Sequence, residues 1–254
     1  MENGRLYDLA VLFFKKEMFM RDEDLSFNMK KHLLYSKDVK AAVRGYLNRN
    51  YEEKEAVLLW EKVQRIYVCF LKDQPQIGEG SNGQMQGVYD SILLFAFYEA
   101  LPQKPSLEEF EEVCTAFFLK SYQKISRFDV NNKLIFKAAK LVTRYTAFQN
   151  RHKRHEFPAN YIMEMEDSPD DVIAYKFYSC PIASFAKRHG CEFLMPAMCN
   201  PDYAMLKCVK ASLIRTTTLG KDGTCCDYVI TGDKNPVLKD HPILKDEKGF
   251  LYNK

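Results

Sequence analysis

Apolar residues recur at helical spacing through most of the first 150 positions. Leu6–Met20, Ser26–Asn48 and Glu52–Leu71 each carry an apolar stripe with charged residues on another face. The segment Asp73–Gly83, with a proline and three glycines, interrupts the pattern. Met85–Leu101 resumes it. A helix opened by Ser106 follows, with Glu109 three residues on at capping-box spacing, and another is predicted from about Val130 to Gln149.

Beyond residue 155 the period changes. Asn160–Glu166 and Asp171–Tyr178 alternate apolar and polar residues around the turn-forming tetrad Asp167-Ser168-Pro169-Asp170, which predicts a hairpin. Ile182–His189 reads as a short helix ended by Gly190. Asp202–Val209 reads as another, with Asn200 or Asp202 at its cap. Ser212–Leu219 and Cys225–Thr231 read as strands joined by the turn Gly220-Lys221-Asp222-Gly223. The tail from Gly232 has no period, although His241-Pro242-Ile243-Leu244 could close as a flap. The expected class is α+β: a helical domain over 1–150 and, over 156–254, a domain with a four-stranded antiparallel sheet and short helices.

Composition narrows the function classes. Apolar residues make up 46% of the 254 and charged residues 28%, which suits a globular chain able to bury a sizeable core. The longest apolar run, Ile92–Tyr98, is far short of a membrane span. The acids at Glu2 and Asp8 and the pair Lys15-Lys16 argue against a secretory signal, so a cytoplasmic protein is expected, with no membrane partner. Residues 1–155 carry 25 basic and 20 acidic side chains, and residues 156–254 carry 12 and 14. Neither half has the basic stripe of a nucleic-acid binder. The dense run Arg151-His152-Lys153-Arg154-His155 reads as a solvated linker.

Cysteine placement is more telling. Cys69 and Cys114 sit in apolar helical settings and read as inert core thiols. The other six crowd between Cys180 and Cys226. In a reducing compartment such crowding points to reactive thiols or metal rather than disulfides.

Five short motifs follow one another in that stretch: Ser179-Cys180-Pro181-Ile182, Cys199-Asn200-Pro201-Asp202, Arg215, Thr218-Leu219 and Cys226-Asp227-Tyr228. Over about Val172–Ile230 they resemble the L-2-amino-thiazoline-4-carboxylic acid hydrolase family. The resemblance implies a small-molecule substrate and hydrolytic opening of a cyclic amidine at a C–N bond. That chemistry needs a nucleophile for the electron-poor carbon, a proton donor for the departing ring nitrogen, and a cation for the carboxylate.

The residues can supply each role. Cys180, between a predicted strand and a helix start, is the leading nucleophile, since a helix N-terminus favours thiolate; otherwise it is a small buried hydrophobe. Asp202 either caps its helix or serves as acid, base or amidine carrier. Cys199 is a second catalytic thiol or a metal ligand. Arg215, if inward, needs an anion such as a carboxylate. Thr218 offers a hydroxyl, and Cys226 with Tyr228 on the same strand face lines the pocket, leaving Asp227 outward to brace a turn. His189 fits a helix C-terminus, and His241 is a remoter candidate base. No cofactor is expected, the alternative being Zn²⁺ on Cys180, Cys199 and Cys226. Two other functions stay open: a non-catalytic small-molecule or metal sensor, and a scaffold forming a homo-oligomer through the helical half, for instance through Leu12, Phe13, Phe14 and Met18.

Overall fold

The structure is a computed structural model that describes residues 34–72, 74, 83–153 and 159–254. The predicted helix Leu6–Met20, the patch Leu12, Phe13, Phe14 and Met18, and nearly all of the loop 73–83 lie outside the described residues. Tyr35–Lys254 is one compact unit by itself, and the boundary expected near residue 150 falls inside it.

Among the described residues five long helices come first: α1 (Lys37–Asn50), α2 (Glu53–Lys72), α3 (Gly83–Ala100), α4 (Leu107–Gln123) and α5 (Lys133–Lys153). The first begins at Lys37 rather than running through from residue 26. Ser36 takes an extended conformation and its hydroxyl accepts from Val39 N–H, which starts the helix there. Ser106 and Glu109 form the expected reciprocal capping box on α4. Helix α3 is apolar all round and buried from Val88 to Phe97. Its one buried acid, Asp90, accepts from the Ser36 and Gln86 nitrogens at 2.6 and 3.1 Å. Cys114 is buried as expected, but Cys69 is exposed. The inner face of α2 is set by Val63, Tyr67 and Phe70, and at 3.6 residues per turn Cys69 falls outside it.

The rest of the chain is β1 (Ile162–Met165), β2 (Val172–Ser179), α6 (Pro181–Arg188), α7 (Met195–Cys199), α8 (Pro201–Lys207), β3 (Ala211–Ile214) and β4 (Cys226–Gly232), closed by β5 (Ile243–Lys245) and β6 (Leu251–Asn253). The first four strands form the predicted antiparallel sheet, in the order β1-β2-β4-β3. The last two pair as a separate ribbon built from the tail that showed no period. Gly190 ends α6 with a φ of 63°. Strand β3 stops at Ile214, short of the expected Leu219, because Asp227 captures the next backbone. Its carboxylate accepts from Thr216 N at 2.9 Å and Thr217 N at 2.7 Å. Gly223 is needed in the following turn, where a Cβ would collide with Thr217 Oγ1 and the Thr218 carbonyl.

The register Phe177↔Cys226, Tyr175↔Tyr228 and Ile173↔Ile230 puts all six side chains on one sheet face. At one end of that face Ile173 and Ile230 pack with Val130, Phe136, Val209 and Ala211 into a core beneath α5. At the other end the face meets α6, α7 and α8. Helix α4 packs against both α7 and α8, which joins the helical part of the chain to the sheet part.

Candidate active site

The aromatic end of the sheet carries the site. Tyr175 and Tyr228 stack with ring centroids 5.0 Å apart, and Phe177 meets Tyr228 edge-on at 5.6 Å. Three helix ends point chemistry at this wall. Cys180 is the N-cap of α6, Cys199 is the last residue of α7, and Asp202 lies in the first turn of α8.

Asp202 is not the cap of α8. That position is Asn200, whose side chain makes no capping bond either. Its amide instead donates to Glu111 Oε1 at 3.0 Å and the Gly249 carbonyl at 2.9 Å, and its oxygen accepts from Leu251 N at 2.8 Å, tying α4 and the tail to the site. Asp202 is thereby free to pair. Arg215 Nη1 donates to its Oδ2 at 3.0 Å and the Tyr228 hydroxyl donates to the same atom at 2.5 Å.

Arg215 points inward and is 1% exposed. Its guanidinium, expected to hold a substrate carboxylate, is already engaged. Besides Asp202, Nη2 donates to the Cys199 carbonyl at 3.2 Å and reaches the Leu251 carbonyl at 3.5 Å. The Tyr203 ring covers it at 5.1 Å. Among the described residues Nε has no hydrogen-bond partner. The backbone of Arg215 is held by Asn253, which accepts from Arg215 N at 2.9 Å and donates its own N–H to Arg215 O at 2.7 Å. Burial alone would lower its pKa, but Tyr228, Asp202, Cys199 and Tyr203 together hold the guanidinium above its ordinary value. It therefore stays a cation.

Cys226 faces inward, as expected from strand alternation. Its sulfur lies 3.3 Å from Thr218 Oγ1 and accepts from Leu219 N–H at 3.2 Å. Thr218 also lies 3.8 Å from Cys199 Sγ and caps the turn at Gly220 N. Thr218 is thus a link between two thiols, and its hydroxyl is not free for a ligand. Beside this group a cleft of about 350 Å³ is lined by Arg215, Thr218, Lys221, Asp246, Phe250 and Tyr252 among others.

Desolvation governs the thiols. Burial pushes Cys180 up to about 12, against the pull of the Ala183 and Ile182 N–H groups at the start of α6. Burial raises Cys199 and Cys226 as well, and Arg215 only partly offsets it in Cys199. The helix start alone favours the thiolate, as expected from sequence, but the loss of water outweighs it. Burial also raises the Asp202 carboxyl, opposed by Arg215 and Tyr228. Asp202 nevertheless keeps 23% of its side chain in contact with solvent. It sits on the wall of a recess rather than in a sealed core.

Sequence reasoning missed several tyrosines. The Tyr161 hydroxyl, raised by burial, is within electrostatic reach of Cys180, Asp202, Cys199 and Cys226 together. Tyr175 senses Asp202 and Arg215, and Tyr122 at the end of α4 senses Asp202. Read singly along the chain, each is an ordinary core aromatic, and no local pattern marks them. The His189 ring lies tilted against Phe185 and Phe70, with centroids 4.2 and 4.7 Å apart, and His241 Nδ1 lies 3.0 Å from the Lys254 carbonyl in the tail. Among the described residues no group of three or more His, Cys, Asp and Glu side chains is placed to hold a metal ion, the three cysteines considered for Zn²⁺ included. Among them also, no helix is long and apolar enough to cross a membrane.

The fold and this recess define an α+β protein with thiols, a carboxyl and a buried arginine gathered at one sheet end. A family model described as L-2-amino-thiazoline-4-carboxylic acid hydrolase matches residues 86–230, more than half of the chain, and the chain belongs to that family. The match begins in α3, so the family includes helical segments well before the motifs that first carried the resemblance. None of the curated proteins compared matches the chain. Among solved structures it is similar to the Fe(II) unliganded H-NOX protein from K. algicida, 12% identical over 78% of this chain and 96% of that one, with a TM-score of 0.34. A point mutant of the same protein, 11% identical over 79% and 98%, gives 0.33. At these scores the likeness carries no argument about this chain.

Proposed function

We propose that this chain is a hydrolase that opens a small thiazoline-type cyclic amidine, with Cys180 as nucleophile and Asp202 as proton carrier. The observation that supports the reading is that Thr218 lies 3.3 Å from Cys226 Sγ and 3.8 Å from Cys199 Sγ while Arg215 bonds both Asp202 and the Cys199 carbonyl, with Cys180 within electrostatic reach, in a chain of this family. Residues separated by up to 46 positions are thus brought within electrostatic reach of Cys199.

The resting Cys180 is a neutral thiol. As its sulfur bonds to the substrate carbon between nitrogen and sulfur, its proton passes to the Asp202 carboxylate. Asp202 returns that proton to the ring nitrogen as the C–N bond breaks. Water then adds to the same carbon, and Cys180 leaves with a proton. The sum is substrate plus one water. Asp202 also faces the positive amidine before attack. In this account Arg215 is a positioning residue that keeps Asp202 ionised and aimed. The substrate carboxylate is left to Lys221 in the adjoining cleft, which sits over the Tyr252 ring at 5.6 Å and would exchange its ion pair with Asp246 for the substrate. The protein needs no metal or cofactor for these steps.

The test is incubation with L-2-amino-thiazoline-4-carboxylate and a panel of cyclic amidines and thioamides, followed by mass spectrometry with and without chelator. The expected result is a gain of one water that a chelator does not affect. No turnover across the panel, or turnover that a chelator abolishes, contradicts the proposal.

A further inference from the structure

Helix α5 presents its most apolar stripe to solvent. Leu134, Leu141, Val142, Tyr145 and Phe148 are between 54% and 78% exposed. The spacing Leu134, Leu141, Tyr145, Phe148 places them along one side of the helix. Its opposite side is already satisfied: Phe136 and Ala147 are buried, and Lys140 donates to the Ser168 and Pro169 carbonyls at 3.0 and 2.7 Å. Among the described residues the outward stripe therefore has no packing partner.

Charge accompanies the stripe. Lys133, Lys137, Arg144 and Arg151 are all exposed and recur at spacings of four and seven, which sets them in a row along one flank. The helix contains no Asp or Glu over its 21 residues. Exposures this high describe a ridge that stands out from the surface, not the floor of a groove.

We infer that α5 docks on an anionic lipid surface, lying flat with Leu134, Leu141, Tyr145 and Phe148 entering the interface and the basic row against the headgroups. The pattern is that of an interfacial helix, with an apolar face for the acyl boundary and cations for acidic lipid. A second copy fits less well. Antiparallel pairing of two such helices would bring both basic rows to the same edge, like charge against like. The inference is independent of the hydrolase reading, since no residue of the recess lies on this face. It departs from the expectation of no membrane partner.

The test is vesicle flotation of the full chain with phosphatidylcholine alone and with added phosphatidylserine. Binding is expected only with phosphatidylserine, and it should fall as salt rises. The variant K137E/R144E should bind about thirty-fold more weakly. The variant L141S/F148S should also lose binding while its circular dichroism and recess chemistry stay those of the parent. Three outcomes overturn the proposal: no phosphatidylserine-dependent binding, binding that neither variant changes, or a dimer in sizing columns that L141S/F148S converts to monomer.

Discussion

The helical part and the sheet part bury their side chains for different ends. Around α3 the interior is Leu, Ile, Val and Phe, with Phe97 and Phe110 fully enclosed. Such a core is held mainly by area and packing, with Asp90 and Ser91 as hydrogen-bonded polar groups within it. At the sheet end the largest fully buried side chain is Arg215, and around it Asn200, Asn253 and Thr218 are buried too. That interior holds because most of its polar groups have named partners, Arg215 Nε being the exception. The first kind of core tolerates no polar change but carries no chemistry. The second holds reactive groups out of water, at the risk that removing one partner leaves another unpaired.

The contrast can be broken from either side. Phe97→Ala should be the largest loss, about 4 kcal/mol by chemical denaturation, from transfer and cavity together. It should leave the alkylation rate of Cys180 unchanged. Arg215→Ala should cost about 3 kcal/mol, toward the low end for a buried pair because Asp202 keeps contact with solvent. The double variant R215M/D202L sharpens the point. It should recover most of that stability while turnover stays lost, which separates what the pair does for folding from what it does for chemistry.

Asn253→Ala should cost about 2 kcal/mol, since it strips acceptors from Arg215 N–H and from the Tyr203 hydroxyl at 3.0 Å. Its signature is loss of turnover out of proportion to stability, because Arg215 is released. Ser106→Ala is the smallest, about 1 kcal/mol, with the recess untouched.

Local grammar explains what was legible beforehand. The hairpin followed from one turn tetrad between alternating strands, and the capping box from two residues three apart. Strand alternation alone put Cys226 and Tyr228 on one face and left Asp227 outward to brace a turn, whose partners, the Thr216 and Thr217 backbone, only the structure identifies. The motifs themselves picked out Cys180, Cys199, Asp202 and Arg215, which now stand around one recess. What escaped was set by tertiary structure. Tyr161, Tyr122 and Tyr175 come from three separate elements, and only the packed fold brings them to Asp202. The tail has no period because its ribbon is short and its work is done by single contacts, such as Leu251 and Asn253 on Arg215. The sign of the Cys180 shift was misjudged for a related reason: a helix start is visible in sequence, but the depth of burial is not. Cys69 was open to a better reading, since its phase relative to Tyr67 already put it outside.

The central claim is that Cys180 attacks the substrate. Intact-protein mass spectrometry on the acid-quenched enzyme with L-2-amino-thiazoline-4-carboxylate tests it most directly. Ring opening ejects no fragment, so the account predicts an adduct of the whole substrate mass on Cys180, absent in Cys180→Ala along with turnover. A Cys180→Ala protein that turns over substrate at the parent rate would contradict it.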